Sequence, residues 1–202
     1  EHHLTDKDAV AVEVTTNTWD TVDALVGHVH TVIVVHPPHV KLITDMQVMP
    51  DQKASEALAT LLAAGLLRTI WVPDPATRDR RQLVAQRLDR VKAATIAKNR
   101  LQSVLHRHQF DKPEASDPYT HTTRDFWLSL PVSGAEQLAI EMDLETIALC
   151  EAQQERIEAL IHQEAVKDER LPFLLQLPGV SIVGALTLLA AIGPIERFPR
   201  SE

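Results

Sequence analysis

The run from Ala76 to His108 limits what this chain can fold into more than any other stretch, because it keeps helical spacing throughout and carries no strand signal. A helix of that length extends about 50 Å, beyond the diameter of a small domain. Most of it therefore needs a second long helix alongside. Val84, Leu88, Val91, Leu101 and Leu105 fall close to a heptad seam. Gly134 to Val166 supplies a partner, with Ile140, Leu144, Ile147, Cys150, Ile157 and Ile161 on one stripe. The loop from Asp111 to Thr123, marked by Pro113 and Pro118, joins the two. The expectation is an antiparallel helical hairpin, with a coiled coil as its regular form.

Charge divides along the same lines. Between Thr77 and Phe110 stand nine Lys or Arg, among them Arg87, Arg90, Lys98 and Arg100, against Asp79 and Asp89. The chain as a whole is at −8, so everything outside this helix is strongly acidic. The second long helix carries Glu136, Glu141, Asp143, Glu145, Glu151, Glu155 and Glu158. Two accounts of the basic helix stand together at this point: it pairs with its acidic neighbour, or its outer face meets phosphates. An aromatic content of 4% argues against a stacking platform for single strands.

Before Pro75 the pattern is different. Ala9 to Val14 reads as a short strand with Glu13 near its end, Thr18 to Val26 as a helix, and His30 to His36 as a β-branched strand stopped by Pro37 and Pro38. Asp51 to Ala64 reads as a helix ended by Gly65, and Thr69 to Val72 as a further strand closed by Pro73. Alternating strands and helices predict an α/β domain with parallel pairing. The predicted domains are 1–75, 76–170 and 171–202.

Glu13 and Asp51 fall near element ends, where ligands of parallel sheets gather. A carboxylate at Asp51 is equally suited to cap its helix, and Glu13 to stand exposed. His28 and His30, and His36 and His39, lack the i, i+4 spacing and the nearby cysteines of a zinc site. Cys150 lies on the apolar stripe and reads as core, and one cysteine builds no disulfide framework, so a reducing cytoplasm is expected. Phe173 to Ile195 carries no charge, but its Pro-free part, Val180 to Gly193, would span only about 20 Å as a helix, against roughly 30 Å of hydrocarbon. No membrane span is expected. Leu177-Pro178-Gly179-Val180 followed by an apolar helix has the form of a helix-hairpin-helix, in which Gly179 would let backbone N–H groups approach a phosphate. Ser181 stands where that motif usually has a second glycine, and a tight turn between core helices is the alternative.

Five ordered segments resemble one family, the DEDD-type transposases of insertion sequence family 110. They are Glu13-Val-Thr-Thr-Asn-Thr-Trp19, Met49-Pro-Asp-Gln-Lys-Ala-Ser-Glu-Ala-Leu-Ala59, Ile70-Trp-Val-Pro-Asp-Pro-Ala-Thr-Arg78, Lys98-Asn-Arg-Leu101, and Leu177-Pro-Gly-Val180 with Ala191-Ile-Gly-Pro-Ile-Glu-Arg-Phe-Pro199. The resemblance implies a RuvC-like, RNase H-like fold, a helical hairpin and the start of a helical transposase domain. It also implies DNA cleavage and rejoining in transposition, with Mg²⁺ on four acidic residues, a serine nucleophile and a bridge RNA as guide. Residue by residue, Glu13 takes the place of the second acidic group and Asp51 that of the third, as catalytic and metal-binding positions. The fourth falls on Ala54, which has no oxygen to offer. Glu56 and Asp45 are poor substitutes, the first pointing away around the helix and the second lying in a loop. The first acidic group would precede residue 1 and the serine would follow Glu202.

The expectation is thus a fragment or decayed copy of a transposase, inactive alone, that keeps nucleic-acid contacts through Arg87, Arg90, Lys98, Arg100 and Gly179. DNA, a guide RNA and further copies of the chain are its expected partners. A non-catalytic interaction protein that dimerises through the hairpin is the reading from another class. A relative of the Holliday-junction nucleases is a third, disfavoured by the Leu-Pro-Gly-Val and Arg-Phe-Pro segments.

Overall fold

The computed structural model describes residues 3–36 and 51–198, with Asp51 described through its backbone. It divides into two compact units, Glu1–Pro73 and Asp74–Glu202. The described residues form a mixed α/β chain: a small parallel sheet of two strands, and otherwise mostly helices.

In the first unit the elements run β1 (Ala9–Glu13), α1 (Thr18–Leu25), β2 (Thr31–Val35) and α2 (Asp51–Ala63). β1 and β2 pair in parallel, from Ala9 opposite Thr31 to Glu13 opposite Val35. Val34 and Val35 point to opposite faces of β2 and both are buried, so the end of this strand is covered on both sides. Leu58 and Leu61 of α2 pack with Ile33, Val35 and Leu67. That contact explains why the apolar spacing of α2 faces the sheet. Gly65 ends α2 at φ 67°, with its N–H on the Leu62 carbonyl and the Leu66 N–H on the Leu61 carbonyl, each at 3.0 Å. This is a Schellman closure, which needs the left-handed conformation that glycine adopts without strain.

The third strand expected at Thr69–Val72 does not form. Thr69 makes an isolated antiparallel bridge to Val35, and the Ile70 N–H donates to the Val34 carbonyl at 2.8 Å. Pro73 and Pro75 lack N–H groups, so the chain cannot extend a ladder past this point.

The second unit is helical: α3 (Pro75–His108), α4 (Arg124–Leu128), α5 (Gly134–Ala165), α6 (Leu171–Leu174) and α7 (Ile182–Ile192). Asp74 caps α3, accepting from the Thr77 N–H at 3.0 Å and the Thr77 hydroxyl at 2.7 Å, with Pro75 at the first helical position. Ser133 caps α5 through the Glu136 N–H. Ala97, Leu101, Val104 and Leu105 of α3 meet Ile140, Leu144 and Ile147 of α5. Trp127 of α4, 0% exposed, closes that end of the hairpin, and its indole N–H donates to the Pro118 carbonyl at 2.6 Å. At the other end Ala185 and Leu186 of α7 fill the space beside Ile161, Ala165 and Leu171.

Leu88, expected in the seam, is 48% exposed. It lies nine positions before the buried Ala97, half a turn around an α-helix at about 100° per residue. The strict heptad drifts off the contact face, and Leu83 packs toward α7 instead.

Candidate functional site

Glu13 is the last residue of β1, at the carboxyl end of the parallel pair. Its surroundings are fixed by Thr18, whose hydroxyl donates to the Glu13 carbonyl at 3.3 Å and the Thr15 carbonyl at 3.0 Å and accepts from the Thr15 N–H at 2.6 Å. Thr18 is 1% exposed, and a buried hydroxyl at the first position of a helix explains how the chain turns there. Sequence reasoning passed over Thr18, although a threonine just before Trp19 in the Glu13 segment was the available signal.

Asp51 opens α2 and Ala54 stands one turn on, half-buried. Asp45 and His39 lie outside the described residues. Among the described residues no group of three or more His, Cys, Asp or Glu comes close enough to hold a metal ion, and His28, His30 and His36 form no cluster. A hard divalent cation takes about six oxygen ligands. The described residues do not fit Mg²⁺ by themselves.

The basic helix is engaged with its acidic neighbour at most of the positions singled out above. Arg87 Nε donates to Glu158 at 2.6 Å, and Lys98 Nζ to Glu151 at 3.1 Å. Arg100 grips Asp143 through Nε, at 2.9 and 3.0 Å, and through Nη2. Arg107 and His108 both reach Glu136. Partners rise along α3 as they fall along α5, which is the antiparallel register. The Arg100 and Asp143 bonds raise the guanidinium's pKa, and the His108 bond, then that of Arg107, lowers the carboxyl of Glu136. Arg90 differs: its Nη1 donates to the neutral amide oxygen of Gln153 at 3.0 Å.

Gly179 adopts φ 82° in a turn closed by the Val180 N–H on the Leu177 carbonyl at 3.2 Å. Pro178 and Gly179 are the central pair of a type II turn, where only glycine or asparagine sits without strain. Ser181 then caps α7, accepting from the Gly184 N–H at 3.1 Å. Gly179, Ser181 and Arg87 line one cavity of about 850 Å³, which His162 and Glu158 share. The turn and the basic helix are thus brought together, with Glu158 already on Arg87.

A charged knot was not visible in the sequence. Asp168 accepts from Arg80 Nη1 at 2.9 Å and from Arg170 Nε and Nη2 at 2.9 Å, and Arg170 Nη1 continues to the Gly193 carbonyl at 2.6 Å. The Arg170 bonds are the main cause that holds the Asp168 carboxyl down at about 2. Arg81 finishes α7, donating to the Ala190 and Ala191 carbonyls at 2.7 and 3.1 Å.

Comparison with protein families matches residues 1–109 to the DEDD transposases of insertion sequence family 110, described as "Transposase". The chain belongs to that family. Membership gives it a transposase's role and DNA as the molecule its relatives handle. The matched region ends at the close of α3, so α5 and α7 lie beyond it. A search of curated proteins returns no match. Among the described residues no helix is long and apolar enough to cross a membrane.

Proposed function

We propose that this chain is a transposase-family protein that binds nucleic acid but does not cut it. The observation that carries the reading is Ala54, one helical turn from Asp51 on α2, inside the family match. Residues three apart lie on the same helix face. A methyl group there withdraws an oxygen from the position at which the family pattern has its fourth acid. Glu13 and Asp51 are then the second and third members of an acidic set on an RNase H-like fold; the parallel β1–β2 pair with Glu13 at its carboxyl end supports that assignment. DNA, and a guide RNA, are the ligands, and Mg²⁺ is not held productively.

Of the cations assigned from sequence, Arg87, Lys98 and Arg100 serve chiefly the hairpin, each on a carboxylate of α5. Arg90 and the Gly179 turn keep groups for a phosphate. Fluorescence anisotropy of labelled duplex DNA and RNA, read against NaCl, tests the binding half of the proposal. Affinity that falls log-linearly with salt is expected; an anisotropy that stays at the free-probe value at low salt would remove it.

One observation favours an added self-association. Leu138, Met142, Leu149 and Leu160 are exposed on α5, and at about 100° per residue they fall within a single stripe opposite the face that meets α3. Leu138 and Leu149 lie about three helical turns apart, so a second α5 laid antiparallel about their midpoint would set each Leu138 on the partner's Leu149 and leave Arg156 and Leu160 uncovered. The proposed homo-oligomer uses this stripe, as a coiled-coil contact between hairpins.

A further inference from the structure

The cations of the hairpin are not equally satisfied. Arg80, Arg87, Lys98, Arg100 and Arg107 each have a carboxylate across the interhelical groove or at its end. Among the described residues Arg90 has only the Gln153 amide oxygen. Arg156, exposed on the otherwise acidic α5, is in no ion pair among the described residues. These two arginines line the same groove, about 770 Å³ in volume, together with Gln86, Gln153 and Leu160, and no carboxylate lines it.

We infer that this groove is a phosphate-backbone contact for a nucleic acid, with Arg90 and Arg156 as its two cationic residues. The inference rests on the nucleic-acid-binding reading above and gives that reading a place. A guanidinium fork offers two parallel donors to phosphate oxygens, and Arg90 already has one fork position fixed by Gln153, which lowers the entropy lost on binding. Gln153 accepts through Oε1, which leaves its NH₂ as a further donor, and Gln86 adds an amide of the same kind. Amides beside arginines suit an anion that presents several oxygens in a row, as a sugar-phosphate backbone does. The groove carries no aromatic ring, so it fits the backbone and not the bases.

The full chain is titrated with labelled duplex DNA and with single-stranded RNA across NaCl, as the native sequence, as Arg156→Gln, and as the double change Arg90→Gln with Arg156→Gln. Arg124→Gln with Lys167→Gln removes the same charge elsewhere and serves as control. The proposal expects the log affinity against log salt to flatten by about 1 in the single variant and about 2 in the double, since each lost phosphate contact releases one fewer counterion. The control slope stays at the native value. Native binding with an equal slope in all variants overturns the groove alone. An unbound native chain overturns the wider reading as well. Loss of binding to an acidic peptide in the double variant, with DNA binding intact, would assign the groove to a protein partner and overturn the proposal. Circular dichroism of Arg156→Gln, a change on an exposed side chain, separates lost contact from lost fold.

Discussion

At the scale of the residue, Asp168 shows how much one side chain organises. Its side chain is 8% exposed, and Arg80 reaches it from the start of α3 while Arg170 reaches it from two residues further along the chain. Its folded pKa of about 2 lies below the ordinary carboxylate value. Because the value is depressed on folding, the stabilisation is complete above about pH 4 and fades as pH falls toward 2, roughly 2 kcal/mol in all. Asp168→Asn leaves two guanidiniums without their anion, one of them, Arg80, with a buried Nε that has no partner among the described residues. A loss of about 3 kcal/mol in urea unfolding near neutral pH is expected. The difference between variant and native should shrink when the measurement is repeated at about pH 3; an unchanged difference would mean that the knot is not what the acid removes. Nothing local announced this site, since Arg80 and Asp168 are 88 positions apart. Cys150, by contrast, was legible as core from its place on a periodic stripe, and it is 4% exposed.

At the scale of the element, the long helices were legible because their signals are local. Asp74 and Pro75 start α3, Ser133 starts α5, and both helices end within one residue of the expected positions. The seam was legible only in part. Leu101 and Leu105 lie in it, while Leu88 does not, because which face turns inward depends on α7 as well as on α5. The missing third strand has a similar cause: Thr69 to Val72 has strand composition, but the prolines after it deny a ladder. Two variants separate the inner from the outer face of the hairpin. Leu101→Ala should cost about 2 to 5 kcal/mol, because the position is fully buried between the helices. Leu149→Glu should leave the melting midpoint nearly unchanged and shift sedimentation from dimer to monomer. A native chain that sediments as monomer at every concentration tested would dismiss the outer stripe as a contact.

At the scale of the whole molecule, the net charge of −8 conceals the arrangement that matters. Acidic residues of α5 pair with Arg87, Lys98, Arg100 and Arg107 of α3, while Arg90 and Arg156, with no carboxylate partner among the described residues, line one groove. The family match covers residues 1–109, yet the partner helix that consumes those charges lies after it. The sequence therefore showed the charge split but could not say which cations remained available. In the first unit the sequence placed Glu13 and Asp51 at element ends, where the fold has them. The central claim is that this protein holds nucleic acid without cutting it. It is tested most directly by incubating end-labelled DNA with the purified chain in Mg²⁺ or in EDTA and reading retention on a native gel and strand length on a denaturing gel. Retained DNA with full-length strands in both conditions is the predicted result. Shortened strands that require Mg²⁺ and disappear in Glu13→Gln would contradict it.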